Sequence, residues 1–93
     1  VNIIRKRVFL EECISDKDWM FTDESTGNVH LLNTTANSFF RLCDNTVLDD
    51  IIEHYVEIYQ VFGVSKDTLR NDALKIYDLL MEKNMIWEED SNE

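Results

Sequence analysis

Glycine, cysteine and histidine each occur only twice in these 93 residues, and each scarcity removes a class of chemistry. Two glycines build no phosphate-cradling loop, and neither stands in a GxSxG nucleophile turn. Cys13 and Cys43 have no CxxC partner and no histidine at ligand spacing. A single disulfide is open to them, but two buried, reduced thiols in a cytosolic domain is the better reading. His30 falls in a strand candidate and His54 in a helix candidate, with no HExxH, so both read as surface or half-buried side chains. No apolar run approaches the roughly 18–20 residues of a membrane span. Arg5-Lys6-Arg7 is followed by Val8-Phe9-Leu10 and at once by Glu11-Glu12, which is too short an apolar stretch for a signal peptide. The expected compartment is cytoplasmic.

Positive charge is also scarce. Nine bases stand against nineteen acids, a net charge of −10, and three of the bases (Arg5, Lys6 and Arg7) sit in the acid-free first ten residues. The remainder therefore carries −13. Such a body repels phosphate and anionic lipid, so neither nucleic acid nor a membrane surface is an expected partner. The acids Asp49, Asp50, Glu53 and Glu57 lack the alternating oxygen ligands and mid-loop glycine of a calcium site and read as a solvated helix face. An acidic, helical carrier protein would need a serine opening a helix to hold its prosthetic arm. Asp90-Ser91 and Glu24-Ser25 do not supply one. With no reaction centre, metal site or cofactor site, the chain is expected to be a binding module and not an enzyme.

What is present is one domain's worth of ordinary globular sequence, 11.0 kDa and 44% apolar, expected to span residues 1–93 with frayed ends at 1–7 and 88–93. Its character changes near Asn33. Before it, strand formers dominate. A first strand starts at Val8-Phe9-Leu10 and extends to Ile14, Trp19-Met20-Phe21-Thr22 makes a second, and Val29-His30-Leu31-Leu32 a third. Asp23-Glu24-Ser25-Thr26-Gly27-Asn28 is the turn that joins the last two into a hairpin.

After Asn33 the apolar spacing becomes helical. Asn33 caps a helix from Thr34 to Leu42. Thr46 is expected to cap a second helix, with Leu48, Ile51, Ile52, Tyr55, Val56, Tyr59 and Phe62 on one broad face. Gly63 stops it, Ser65 caps a third helix carrying Leu69, Ala73, Ile76 and Leu80, and Lys83-Asn84 close that helix. Met85-Ile86-Trp87 returns apolar. The order predicts a small α+β fold, a three-stranded antiparallel sheet followed by three helices, of winged helix-turn-helix type.

Two features point to a partner. The third strand ends the meander, so one of its edges is open to an incoming extended peptide, and it has no proline or lysine of its own to block pairing. The same open edge permits a homodimer, edge to edge or domain-swapped, when no ligand is present. On the third helix, Leu79 lies outside the core stripe and invites a groove between that helix and the third strand, with Arg70, Asp72 and Lys75 at its lip.

The run Leu32-Asn33-Thr34-Thr35-Ala36, after a Gly27-ended turn and a short strand, resembles the Leu-Asn-x-Thr-(Ala/Gly) element of the PqqD-like family. These are the leader-peptide recognition elements of ribosomally made, post-translationally modified peptide pathways. Phe39, Phe40 and Leu42, then Ile51, Ile52 and Tyr59, then Asp72-Ala73, Ile76-Tyr77, Leu80 and Asn84-Met85-Ile86 are similar to the rest of the family pattern in order and spacing. Asn45 and Asn84 stand where the family usually has glycine, and asparagine is the next-best residue for a positive φ.

The resemblance implies a peptide chaperone without catalytic residues or cofactor. It would bind a precursor's leader as an added strand and present the core to a maturation enzyme: a radical-SAM protein, cyclodehydratase, dehydratase or leader peptidase. The implied peptide-binding positions are Val29, His30, Leu31 and Leu32 on the strand, and Leu69, Arg70, Asp72, Ala73, Ile76 and Leu79 on the helix. The competing reading is a winged-helix DNA-binding or regulatory interaction domain. Against DNA, the third helix sets Lys66, Arg70, Lys75 and Lys83 against Asp67, Asp72, Asp78 and Glu82, a net charge of zero.

Overall fold

The computed structural model describes residues 1–90. Their order is β1 (Asn2–Lys6), β2 (Leu10–Cys13), β3 (Asp18–Thr22), β4 (Val29–Asn33), α1 (Thr34–Leu42), α2 (Leu48–Tyr59), α3 (Lys66–Glu82) and β5 (Ile86–Asp90), with a short 3-10 turn, Gln60–Phe62, after α2. The expected α+β class, the three-stranded antiparallel sheet and the three helices are all present. The sheet runs β2-β3-β4, and β4 is the third strand of the sequence reading.

The two ends correct the expectation of fraying. β1 and β5 pair antiparallel as a second, two-stranded sheet, from Asn2 opposite Asp90 to Lys6 opposite Ile86. Ile4 and Ile86 explain why these ends hold: both side chains are buried in the common core, and burying each stabilises by about 2 kcal/mol. Residues 91–93 of the expected tail lie outside the described residues. This second sheet was not part of the winged helix-turn-helix expected from the element order. The first expected strand is also shorter than its apolar start suggested, because Val8 is exposed and Phe9 turns in against Phe21 and Phe40 before the ladder begins.

Helix boundaries follow local chemistry. Asn33 accepts a hydrogen bond from the Ala36 N–H through its side chain, and Ser65 does the same for Thr68, satisfying donors that a helix start leaves open. Thr46 does not cap α2. Val47 occupies that position without a side-chain bond, because the Thr46 carbonyl is fixed by the Ile4 N–H at 2.7 Å in a bridge to β1. Gly63 ends the α2 segment at φ 83°, a left-handed conformation that glycine adopts without strain. Phe62, expected on the inner face, is 74% exposed, since the 3-10 turn shifts the helical phase before it.

The core lies where all layers meet. Phe21 of β3, Leu32 of β4, Phe39 and Phe40 of α1, Ile51 of α2, Leu80 of α3 and Ile4 of β1 are all buried. Helix α3 packs against α1, α2 and β5. Cys43 is buried as expected, but Cys13 is exposed on the outer strand β2 and both thiols are free.

Candidate functional site

Hydrogen-bond parity decides which residues of β4 present an open edge. Antiparallel partners alternate between bonded and non-bonded pairs. The Asp23 N–H donates to the Asn28 carbonyl at 2.9 Å, so in the same register Thr22–Val29 is non-bonded, Phe21–His30 bonded, Met20–Leu31 non-bonded and Trp19–Leu32 bonded. The other face of β3 agrees: the Ile14 N–H donates to the Asp18 carbonyl at 3.1 Å, which by the same alternation assigns Asp18, Met20 and Thr22 to β2 and leaves Trp19 and Phe21 for β4. His30 and Leu32 therefore use their backbone groups on β3. Val29 and Leu31 turn theirs to the other edge, which no strand covers among the described residues, while Asn33 at the strand's end gives its carbonyl to the start of α1.

Side chains alternate in the complementary sense. Leu32 is 1% exposed and His30 half-buried on the inner face, while Val29 and Leu31 are 54% and 58% exposed on the outer one. An added strand would thus bond to the backbone of Val29 and Leu31 and send alternate side chains inward beside His30 and Leu32.

The expected helix positions separate into three groups. Leu69 and Ala73 are buried, and Ile76 packs against the core from a half-buried position. Asp72, Ile76, Leu79 and Lys83 share one flank, being spaced by three or four residues. Leu79 is 39% exposed there. Arg70 is on the other side of the helix. Nine residues at about 100° each place it opposite Leu79, and its guanidinium reaches Glu53 of α2 at 3.3 Å and Asp67 at 3.7 Å. The expectation that Arg70 shares a lip with Leu79 is corrected by this ion pair.

One feature relates the end of the Leu79 flank to β4. At the C-terminal end of α3, Lys83 and Asn84 share a cleft of about 320 Å³ with Asn28 and His30. The C-terminal end of the flank therefore lies near the start of β4. Burial is the first cause of the raised Tyr55 pKa, ahead of Tyr59 and Asp72.

That cleft was not legible as a site. Besides Asn28, His30, Lys83 and Asn84 it is lined by Arg7, Phe9, Asp23 and Thr26, drawn from three separate stretches of chain. In the sequence Lys83 reads as a helix terminator and as one of the bases of the third helix. The one available signal was its spacing of four from Leu79, which puts both on one flank. Arg7 is placed by its Nε, which donates to the Asn84 carbonyl at 2.7 Å, and by the Trp87 ring beneath its guanidinium. His30 has its pKa lowered, first by burial and then by Lys83, against an opposing pull from Asp23.

Elsewhere the chemistry is structural. Tyr77 donates to Glu88 and clips α3 to β5. Among the described residues no three His, Cys, Asp or Glu side chains are grouped to hold a metal ion, and no helix is long and apolar enough to cross a membrane. A family model described as coenzyme PQQ synthesis protein D (PqqD) matches residues 18–86, from the start of β3 to the start of β5. No curated protein and no solved structure matches the chain.

Proposed function

The chain belongs to the PqqD family, whose members are accessory proteins of PQQ and related peptide-modifying pathways, and from that membership we propose that it is a leader-peptide chaperone. It binds the leader of a ribosomally made precursor as a strand added to β4 and delivers the attached core to a modifying enzyme. That enzyme is a radical-SAM protein, a cyclodehydratase, a dehydratase or a leader peptidase. The chaperone itself contributes no catalytic group and no cofactor.

The observation that carries this reading is the open backbone of Val29 and Leu31 on a strand whose His30 shares a cleft with Lys83 at the end of α3. Main-chain bonds to such an edge supply affinity without sequence preference, and alternate side chains facing a helix supply the preference. Tens of residues of leader are not needed. A pairing of four or five residues covers the strand.

The test is a titration of ¹⁵N-labelled protein with the leader half of a short precursor peptide encoded near its gene. Amide shifts concentrated at Val29–Asn33 and on α3 between residues 72 and 83 are the expected result. An unperturbed β4 edge at sub-millimolar leader overturns the reading. A salt-dependent gel shift with DNA would favour the competing winged-helix function, which the zero net charge of the third helix argues against.

A further inference from the structure

An added strand brings one of its inward side chains opposite His30, at the mouth of the cleft formed with Lys83 and Arg7. We propose that this cleft is a carboxylate subsite, so that the peptide the protein accepts carries Asp or Glu opposite His30. The proposal rests on the strand-addition reading and adds to it a rule for which strands fit.

The charges in the cleft are unlike those of the rest of the molecule. In a chain of net charge −10, its lining has two permanent cations, Arg7 and Lys83, and one acid, Asp23. Asp23 is turned to its own loop, where its Oδ1 accepts from the Ser25 N–H at 2.9 Å and from the Ser25 hydroxyl at 2.6 Å. Among the described residues, no carboxylate stands within 4 Å of Lys83 or Arg7. Arg7 is held in place by a carbonyl and an aromatic ring, neither of which neutralises it. Two cations against one acid that is already engaged by its own loop, at the edge where a ligand side chain enters, are complementary to a carboxylate.

Register strengthens the argument. An antiparallel added strand pairs by hydrogen bonds with Val29 and Leu31, which makes the position opposite His30 a non-bonded pair, where side chains approach most closely. The carboxylate then lies within reach of the His30 ring and the Lys83 ammonium. Two residues along, the next inward side chain lies opposite Leu32, toward Ile76 and Leu79, and is expected to be apolar. The recognised strand therefore has an acid and an apolar residue separated by one position.

A random dodecapeptide display library panned on the intact protein tests this without knowledge of the natural leader. Selected peptides are expected to share an acidic residue two positions from an apolar one. For a synthetic winner, Glu→Gln should weaken binding about tenfold at low salt, as expected for a charge-assisted contact. Lys83→Gln should erase that difference and Lys83→Arg should retain it. The His30 ring, which faces Lys83, Asp23 and Arg7, should titrate at higher pH with the Glu peptide bound than with the Gln peptide.

The outcomes separate the two ideas. Peptides that shift the Val29–Asn33 amides but show no acid preference, or an acid preference that survives Lys83→Gln, overturn the subsite and leave strand addition standing. Failure to select any peptide that perturbs β4 overturns both.

Discussion

Asn45 and Asn84 hold the same left-handed backbone, φ 55° and 56°, one just beyond α1 and the other just beyond α3. Asparagine tolerates this region better than other non-glycine residues, which is how two stops survive in a chain with so little glycine. Gly27 and Gly63 occupy the two other positive-φ positions among the described residues.

Asn84 is the cleaner of the two to test, because Arg7 binds its carbonyl and not its side chain. Asn84→Gly is expected to be neutral or stabilising by a few tenths of a kcal/mol, and Asn84→Ala destabilising by about 1 kcal/mol. Urea denaturation of the three proteins checks this. Equal midpoints for the glycine and alanine variants would show that the left-handed turn is not held in solution.

The opposite placement of Arg70 and Leu79 predicts a separation of stability from binding. Arg70→Ala loses an exposed ion pair and should cost under about 1 kcal/mol while leaving leader affinity unchanged. Leu79→Asp should leave the fold intact and lower leader affinity by about tenfold, because it puts an acid where an apolar side chain must dock. Calorimetric titration beside thermal melts measures both. The reverse pattern would place the peptide on the Glu53 side of α3.

Much of the fold was legible because its punctuation is local. Asn33, Ser65, Gly63 and Asn84 each mark a helix end by their own hydrogen bonding or backbone freedom, and the 23–28 turn declares the hairpin. The β1–β5 pair was not legible, since it joins the two ends of the chain and its outer residues, Glu88, Glu89 and Asp90, read as an acidic tail. Pairing at such separation leaves no periodic trace in either segment alone. In the site, the free edge of β4 followed from its place last in the meander. The bonded parity of that edge, the Arg70–Glu53 pair and the meeting of Arg7 with Lys83 are tertiary facts. No spacing in the sequence encodes them.

The two thiols should differ in reactivity. Burial pushes the Cys43 thiol up to about 12, with a smaller opposing effect from Lys6, and the group donates to the Phe39 carbonyl at 3.2 Å. Cys13 is exposed. Because the thiolate is the nucleophile, native protein at pH 8 should react with a disulfide reagent such as DTNB at one site, Cys13, and unfolded protein at two. Fast modification of both thiols in the native protein would contradict the packing of Cys43 under α1.

His30 makes stability fall on mild acidification. Its folded pKa is depressed, first by burial and then by Lys83, while the unfolded chain restores the ordinary value of about 6.5. Between those two values the unfolded state binds more protons, so stability is full above the ordinary pKa and declines as pH falls toward the folded one. Comparing melting temperature against pH for the native protein and His30→Gln isolates this contribution. A curve that His30→Gln leaves unchanged in shape near and below pH 6.5 would mean that the ring is not enclosed by Phe9 and the cleft wall.

Leu31→Pro tests the hydrogen-bond parity of β4 directly. Proline removes one N–H and fixes φ near −65°, and strands tolerate it where that N–H faces away from the sheet. The Leu31 N–H faces the open edge, and its side chain is on the exposed outer face, so the variant should keep the β3–β4 ladder and most of its stability. An incoming strand, however, loses a main-chain bond and meets the proline ring, and leader affinity should drop by at least about tenfold. His30→Pro inverts the pattern: it breaks the bonded pair with Phe21 and should unfold the hairpin. Circular dichroism and heteronuclear spectra of the two variants, followed by leader titration of whichever folds, decide the matter. Were Leu31→Pro to unfold while His30→Pro remained folded, the open edge would be formed by the other set of residues, and the acid-binding position would move with it.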